Sequence, residues 1–354
     1  MSSIKSVKVR DIVVGGGAPV SIQSMTNVDS RDAAALIRQI NELTEAGCEI
    51  VRISVPDKES AEAFAKVRRQ TDVPLVADIH FDYKMALASI EAGADKIRIN
   101  PGNIGSRERV REVVKACAER HIPIRVGVNS GSLEKDILEK NGGVTAEGLA
   151  ESALRNLAII EDMGFDDLVV SLKSSDVRMN YDAHCIIAEK TDHPIHVGVT
   201  EAGTLERGKV KSAAGIGALL LAGIGDTMRV SLTADPVEEV IFGRQLLEAC
   251  GLRQPAFDLV SCPTCGRTKV DLTALANEAE RRLGQLSMRK GIKIAVMGCV
   301  VNGPGEAGEA DYAACGGEGK TVIFAKGKPV ATVAEKDTIE ELIRIIRENE
   351  GIDQ

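Results

Sequence analysis

Eight short β-branched and aliphatic runs recur along the N-terminal part of the chain, each followed by a stretch with the apolar spacing of a helix. The runs cover 20–25, 50–55, 75–80, 96–100, 124–129, 168–173, 195–200 and 228–232, and amphipathic stretches such as 33–46, 61–70, 107–121, 146–163 and 236–250 separate them. Gly47, Gly93, Gly164 and Gly251 follow helices where a left-handed residue ends the turn. Strands that alternate with helices lie parallel and buried on both faces. Eight such units favour a closed (β/α)8 TIM-type barrel over an open doubly wound sheet. Gly215, Gly217, Gly223 and Gly225 miss the spacing of a dinucleotide-binding turn. Gly15–Gly17 precedes the first barrel strand and is expected to turn a hairpin in an N-terminal flap.

The 354 residues exceed the about 250 of such a barrel, and the rhythm breaks after Cys250. Residues 251–255 read as a linker. Beyond it we expect a strand at 257–261, a helix at 272–288, strands at 293–297, 321–325 and 329–333, and a final helix at 339–349 capped by Asp337 or Thr338. The expected division is a barrel over 1–253 and a small α/β domain over 254–354, which holds four of the eight cysteines. A formal charge of -8 argues against nucleic acid or a membrane surface as partner, because phosphate backbones attract clustered Lys and Arg. No stretch approaches the roughly 20 apolar residues of a membrane span, and no secretory leader is evident. A reducing, cytoplasmic setting follows, in which spaced cysteines serve as metal ligands or redox groups. Cys48, Cys117, Cys185 and Cys250 stand alone and read as small buried hydrophobes.

Cations interrupt the barrel strands. Arg52, Arg98, Arg125, Lys173 and Arg229 all sit in sheet that should be buried. An unpaired buried charge costs several kcal/mol, so these groups must converge on carboxylates or on an anionic ligand. Asp78 and Glu201 can neutralise some of them as structural ion pairs. Two carboxylates do not balance five cations, whereas a diphosphate carries several charges and accepts forked hydrogen bonds from guanidinium groups. Asp78, His80, Asn129, His196, Glu201 and Ser231 lie on or just after the same strands, where proton transfer or hydroxyl binding would be arranged. Glu201 is the first candidate for that role. His196 reads more simply as a structural residue.

Cys262-Pro-Thr-Cys265 closes one strand of the second domain and Cys299 closes another. Three readings compete. A structural zinc site would need Cys315 as fourth ligand but lacks a second close cysteine pair. A thioredoxin-like dithiol leaves Cys299 unexplained. An iron-sulfur cluster accounts for all three thiols and is favoured. The turn at 302–306 would let Glu306 return to the same centre as an oxygen ligand, although a solvated glutamate is its plainer reading.

The motifs around Arg52, Asp78 and His80, Arg98, Arg125 and Asn129, then Ser-Cys262-Pro-Thr-Cys265-Gly-Arg and Gly-Cys299-Val-Val-Asn-Gly-Pro-Gly-Glu306, resemble in order those of the bacterial 4-hydroxy-3-methylbut-2-enyl diphosphate synthase family. The resemblance spans essentially the whole chain and has the length of the two-domain form. It implies reductive ring opening and dehydroxylation of 2-C-methyl-D-erythritol 2,4-cyclodiphosphate. It implies a 4Fe-4S cluster on Cys262, Cys265, Cys299 and Glu306, whose unique iron takes up a substrate oxygen. Arg52, Arg98, Arg125, Lys173, Arg229 and Ser231 would hold the diphosphate, with Asn129 and His196 nearby. Glu201 would handle protons or the substrate hydroxyl, with Asp78 and His80 as second candidates. Reduced flavodoxin or ferredoxin would donate electrons, and a homodimer would share its active site between chains. The rivals are a barrel phosphate-ester lyase or isomerase with a structural zinc domain, and a non-catalytic iron-sulfur sensor or electron carrier.

Overall fold

The computed structural model describes residues 3–286, 291–299 and 303–352. Its first two strands, β1 (Ser6–Val9) and β2 (Ile12–Gly15), pair antiparallel. Arg10, at a φ of 57°, makes the turn between them. Gly15–Gly17, expected to form that turn, instead lead out of β2 with positive φ at all three residues. A Cβ on Gly15 would stand 2.5 Å from the Lys5 carbonyl oxygen, so this exit requires glycine.

The parallel strands are β3 (Ser21–Met25), β4 (Ile50–Ser54), β5 (Leu75–Asp78), β6 (Lys96–Ile99), β7 (Ile124–Asn129), β8 (Leu168–Lys173), β9 (His196–Val197) and β10 (Thr227–Met228). They form one sheet in the order β8-β7-β6-β5-β4-β3-β10-β9. A parallel bridge between Val170 and Ile195 joins its edges, so the sheet is a nearly closed barrel. Helices follow the strands at Ala33–Glu45, Lys58–Arg68, Tyr83–Glu91, Arg107–Arg120, Ala146–Glu161, Val177–Ala188, Leu205–Leu221 and Pro236–Ala249. Asp32, Asp57, Asp82, Asp176 and Asp235 each accept a backbone N–H in a first turn. Such caps are worth about 1 kcal/mol each and fix where the loop hands over to the helix.

The expected strands at 195–200 and 228–232 shrink to two residues each, so Arg229 and Ser231 lie in the loop after β10 and not within a strand. Where those ladders end, a Cβ on Gly198 would stand 2.7 Å from the Arg229 carbonyl oxygen.

Side chains alternate across each strand. Val51, Ile53, Ala77, Ile97, Ile99, Val126, Val128, Val170 and Leu172 pack into the core beneath the helices. The intervening residues face the barrel interior. At its N-terminal end Ile50, Val76 and Val169 meet Val9 and Val14 of the hairpin, which plugs the barrel with apolar contacts. Beyond this plug the inward positions turn polar.

The chain divides into two compact units, Met1–Arg253 and Gln254–Gln354. In the second, β11 (Phe257–Ser261), β12 (Ile292–Met297) and β13 (Tyr312–Gly316) run parallel, while β14 (Lys320–Ala325) and β15 (Lys328–Ala334) add antiparallel strands in sequence order. Helices Leu272–Leu283 and Thr338–Glu350 pack on one face through Ile294, Val296, Leu342 and Ile346. The first of these stops short of 288, which lies outside the described residues. Strand β13 escapes sequence reading because Tyr-Ala-Ala-Cys-Gly has weak strand propensity; Tyr312 and Ala314 are buried against Leu342 and Ile346, and Ala313 and Cys315 against Ala307 and Ala310. No helix among the described residues is long and apolar enough to cross a membrane.

Candidate active site

The C-terminal ends of the barrel strands enclose a cavity of about 180 Å³ lined by Met25, Arg52, Asp78, His80, Arg98, Arg125, Asn129, Ser171, Lys173, Thr200, Arg229 and Ser231. The expected cations thus meet in one place. Arg98 Nη1 donates to Asp78 Oδ1 at 3.2 Å, and Arg52 Nε lies 3.7 Å from Asp78 Oδ2. His80 Nε2 stands 3.7 Å from the same oxygen. Burial alone would raise the Asp78 pKa, but Arg52 and Arg98 outweigh it and hold the carboxyl at about 2. Asp78 is therefore an anion at neutral pH.

Two glycines make room for this arrangement. A Cβ at Gly127 would stand 2.7 Å from Arg98 Nε, and one at Gly198 would stand 2.8 Å from Lys173 Nζ.

The remaining cations are short of partners. Arg229 reaches Glu239, a buried residue of helix Pro236–Ala249, at 3.6 Å. Arg125 is almost wholly buried, and its Nε and Nη1 have no hydrogen-bond partner among the described residues. Burial and the neighbouring Arg52 and Arg98 disfavour its charge. Arginine keeps its proton regardless, so the conflict appears as a cost in stability.

Three residues were not singled out in the sequence. Glu239 lies on a helix and carries no strand signal. Met25 lays its thioether against the Arg52 guanidinium. Lys96 shares the inward parity of Arg98 on β6, and that parity is the signal that could have found it.

Two expected residues fall outside the lining. His196 faces inward from β9 but is fully buried beneath the cavity, its pKa lowered by burial and by Arg125, Lys173 and Lys96. Glu201 follows Thr200, yet it is exposed, with a φ of 51°.

A larger cleft of about 900 Å³ opens where the hairpin meets residues that precede strands, among them Asp95, Pro123 and Asp167. It is open and mixed in charge, and Arg68 already pairs with Asp95 at 2.6 Å. Catalytic groups of such barrels gather at the opposite face. Glu161, Asp166 and His193 also approach one another, but the Lys5 ammonium holds Asp166 at 2.6 Å.

In the second unit, β11 and β12 are parallel neighbours, so Cys262 and Cys299 follow adjacent strand ends. The Gly298 N–H contacts Cys262 Sγ at 3.5 Å, and the Gly298 carbonyl accepts from Lys269 at 2.9 Å. These bonds hold the 262–269 loop beside Cys299. Cys265 is exposed and its N–H donates to Thr268 Oγ1 at 3.1 Å. The Arg267 backbone and guanidinium favour its thiolate, and the same guanidinium feels Cys299 and Cys262.

Cys315 sits buried on β13 with Ala295, Met297, Ala307 and Ala313. Burial, with Cys299 and Cys262 nearby, pushes its thiol up to about 11. Among the described residues these thiols form no group of ligand atoms all within 4.8 Å of one another. The thiols of Cys262, Cys265 and Cys299 are a donor set of the kind that holds an iron-sulfur cluster. Glu306 is half-buried on the helix Gly303–Glu309, whose Ala307 packs against Met297 and Cys315. Asn302, the start of the expected turn, lies outside the described residues.

Residues 4–244 match the family model described as the GcpE TIM-barrel domain, and residues 258–348 match that of the GcpE protein C-terminal domain. The chain is 53% identical over 342 residues to a protein of Caldanaerobacter subterraneus subsp. tengcongensis named 4-hydroxy-3-methylbut-2-en-1-yl diphosphate synthase (flavodoxin), covering 97% of this chain and 96% of the relative. It is 54% identical over 338 residues to the Bacillus subtilis protein of the same name, covering 96% and 89%. Among solved structures, Yersinia pestis dihydropteroate synthase superposes with a TM-score of 0.51 at 16% identity, over 70% of this chain and 99% of that one. A truncated 3-deoxy-D-arabino-heptulosonate 7-phosphate synthase of Thermotoga maritima gives 0.51 at 13% identity, over 70% and 93%. Both share the barrel fold.

Proposed function

This chain belongs to the GcpE family, and from that premise we propose that it opens and reductively dehydroxylates 2-C-methyl-D-erythritol 2,4-cyclodiphosphate to 4-hydroxy-3-methylbut-2-enyl diphosphate. The observation that carries the reading is the barrel-mouth cavity, where Arg52, Arg98, Arg125, Lys173 and Arg229 line a space with Asp78 as the carboxylate among them. Such a surplus of buried positive charge suits a diphosphate. Arg125 and Lys173 would hold the phosphate oxygens that no carboxylate supplies, Arg52, Arg98 and Arg229 would flank them, and Ser231 and Asn129 would orient the ring. His196 would support the layer below.

Asp78 is held ionised and positions its two arginines; it is not a proton donor at neutral pH. His80, at the cavity rim, is the better-placed proton carrier. Glu201 keeps its assignment to the substrate hydroxyl or a proton, and Glu201→Gln tests it directly: unchanged turnover removes the role.

Cys262, Cys265, Cys299 and Glu306 would hold a 4Fe-4S cluster. The cluster, when bound, would pass on the two electrons that the reduced donor provides and would supply Lewis-acid chemistry. Arg267 stands beside the thiolates as a compensating charge. The donor is reduced flavodoxin, in keeping with the names of the relatives, and the setting is cytoplasmic. We further assign a homodimer whose active site draws on both chains. Mixing an Arg125→Met chain with a Cys299→Ser chain, each inactive alone, then regains activity.

The decisive experiment is anaerobic purification followed by reduction of the cyclic diphosphate with dithionite. A brown protein with about four irons per chain and product formation is expected. A colourless, zinc-loaded protein would overturn the reading.

A further inference from the structure

We propose that filling the barrel-mouth cavity with a diphosphate-type anion draws a proton from solvent onto the side-chain amine of Lys96, one layer below. The proposal rests on the reading of that cavity as an anion site.

Lys96 opens β6 and, by the alternation that turns Arg98 inward, faces the barrel interior. It is fully buried, and its Nζ has no hydrogen-bond partner among the described residues. It does not line the cavity. The charged and titratable groups around it are Arg52 from β4, Arg125 from β7 and His196 from β9. Asp78 of β5 is turned one layer up, onto Arg98 and Arg52. Among the described residues no carboxylate pairs with Lys96.

A buried ammonium whose neighbours are cations is unfavourable twice over, through lost hydration and through repulsion. The arginines cannot yield, because guanidinium keeps its proton in proteins. Lys173 borders the open cavity, where water can solvate it. The group that gives way is Lys96, whose amine does not border that cavity; burial first, then Arg125 and Arg52, push it toward the uncharged form.

A multiply charged anion set against Arg125 and Arg52 cancels the field that expelled the proton. It does so through a dry interior, where charges are screened weakly. The lone pair of Nζ then takes one proton and becomes an ammonium, with no other bond changed. By linkage, an anion that brings a proton with it binds more weakly as pH rises.

Isothermal titration of the full chain tests this with two probes, sulfate and inorganic diphosphate, in Tris and in HEPES at about pH 8. Sulfate has no titratable proton there, so any buffer-dependent heat belongs to the protein. Wild type should take up as much as about one proton per sulfate, with affinity falling by up to about tenfold per pH unit. Lys96→Met should lose the buffer dependence and bind more weakly than wild type by the factor the uptake implies, about tenfold where uptake is about 0.9 proton; Lys96→Gln replaces it if the first variant does not fold. Buffer-independent heats in wild type, or uptake unchanged in the variant, overturn the proposal. If neither probe gives a saturable heat with wild type, the anion-site reading falls and takes the proposal with it.

Discussion

Arg98 and Asp78 stand opposite one another on adjacent strands, with Nη1 3.2 Å from Oδ1, and the same carboxylate also receives Arg52 at 3.7 Å. One buried anion thus serves two guanidinium groups, and among the described residues no carboxylate forms an ion pair with Arg125 or Lys173 behind them. The barrel mouth is assembled with a deficit of negative charge. Several consequences can be measured.

Replacing Asp78 with Asn leaves two buried guanidinium groups unpaired. Breaking a buried pair of this kind typically costs about 3–5 kcal/mol. Urea unfolding should show that loss, and inorganic diphosphate should restore part of it. A loss below about 1 kcal/mol would mean that solvent already screens the pair.

Acid should destabilise the barrel in two separate windows. His184 is fully buried, with Nδ1 2.7 Å from the Asn180 carbonyl oxygen, and burial lowers its pKa from 6.5 to about 4. Between those values the unfolded chain binds the extra proton, so stability falls as pH drops from about 6.5 to about 4, by about 3 kcal/mol for this group. Asp78, held at about 2 against an ordinary value near 4, adds a further loss of about 2 kcal/mol only below about pH 4. In unfolding curves taken across this range, His184→Gln should shallow the upper window by its own share, leaving the part that buried His196 contributes, and should leave the lower one.

Arg125→Met removes a buried cation that no carboxylate satisfies. The ligand-free protein should gain stability or stay unchanged, because a buried, imperfectly compensated charge is replaced by apolar volume. Substrate kcat/KM should fall about a hundredfold or more, since a charge-assisted contact to the anion is lost. Steady-state kinetics beside thermal unfolding separates this from a folding defect, which would lower both together.

The cysteines should not respond alike. Cys299→Ser should lose nearly all iron and visible absorbance, while Cys315→Ala keeps both, because Cys315 points into an alanine-rich core. Glu306→Ala should retain some cluster on its three thiolates and lose most turnover. Equal losses of metal at Cys315 and Cys299 would favour the four-thiolate zinc site instead.

Much of this was legible in the chain. Local patterns set strand and helix positions, because a strand buried on both faces needs an unbroken apolar run and a helix needs its stripe. The runs around Ile53, Ile97 and Val126 gave a barrel for that reason. Arg52, Arg98 and Arg125 stand out within those apolar runs, so their convergence on carboxylates or an anionic ligand could be expected without tertiary information. The cysteine spacing raised the expectation of a metal or redox centre from local sequence in the same way.

Closure of the barrel decided the rest. The curvature of the sheet chose which carboxylate each cation meets, gave Arg229 to Glu239 on a helix, and left Lys96 among cations alone. It also ended β9 and β10 early, putting His196 below the cavity and Glu201 outside its lining. These are distances between residues far apart in sequence, and burial and charge act through such distances. The chain determined which chemistry was available, and the folded barrel determined which groups must share it.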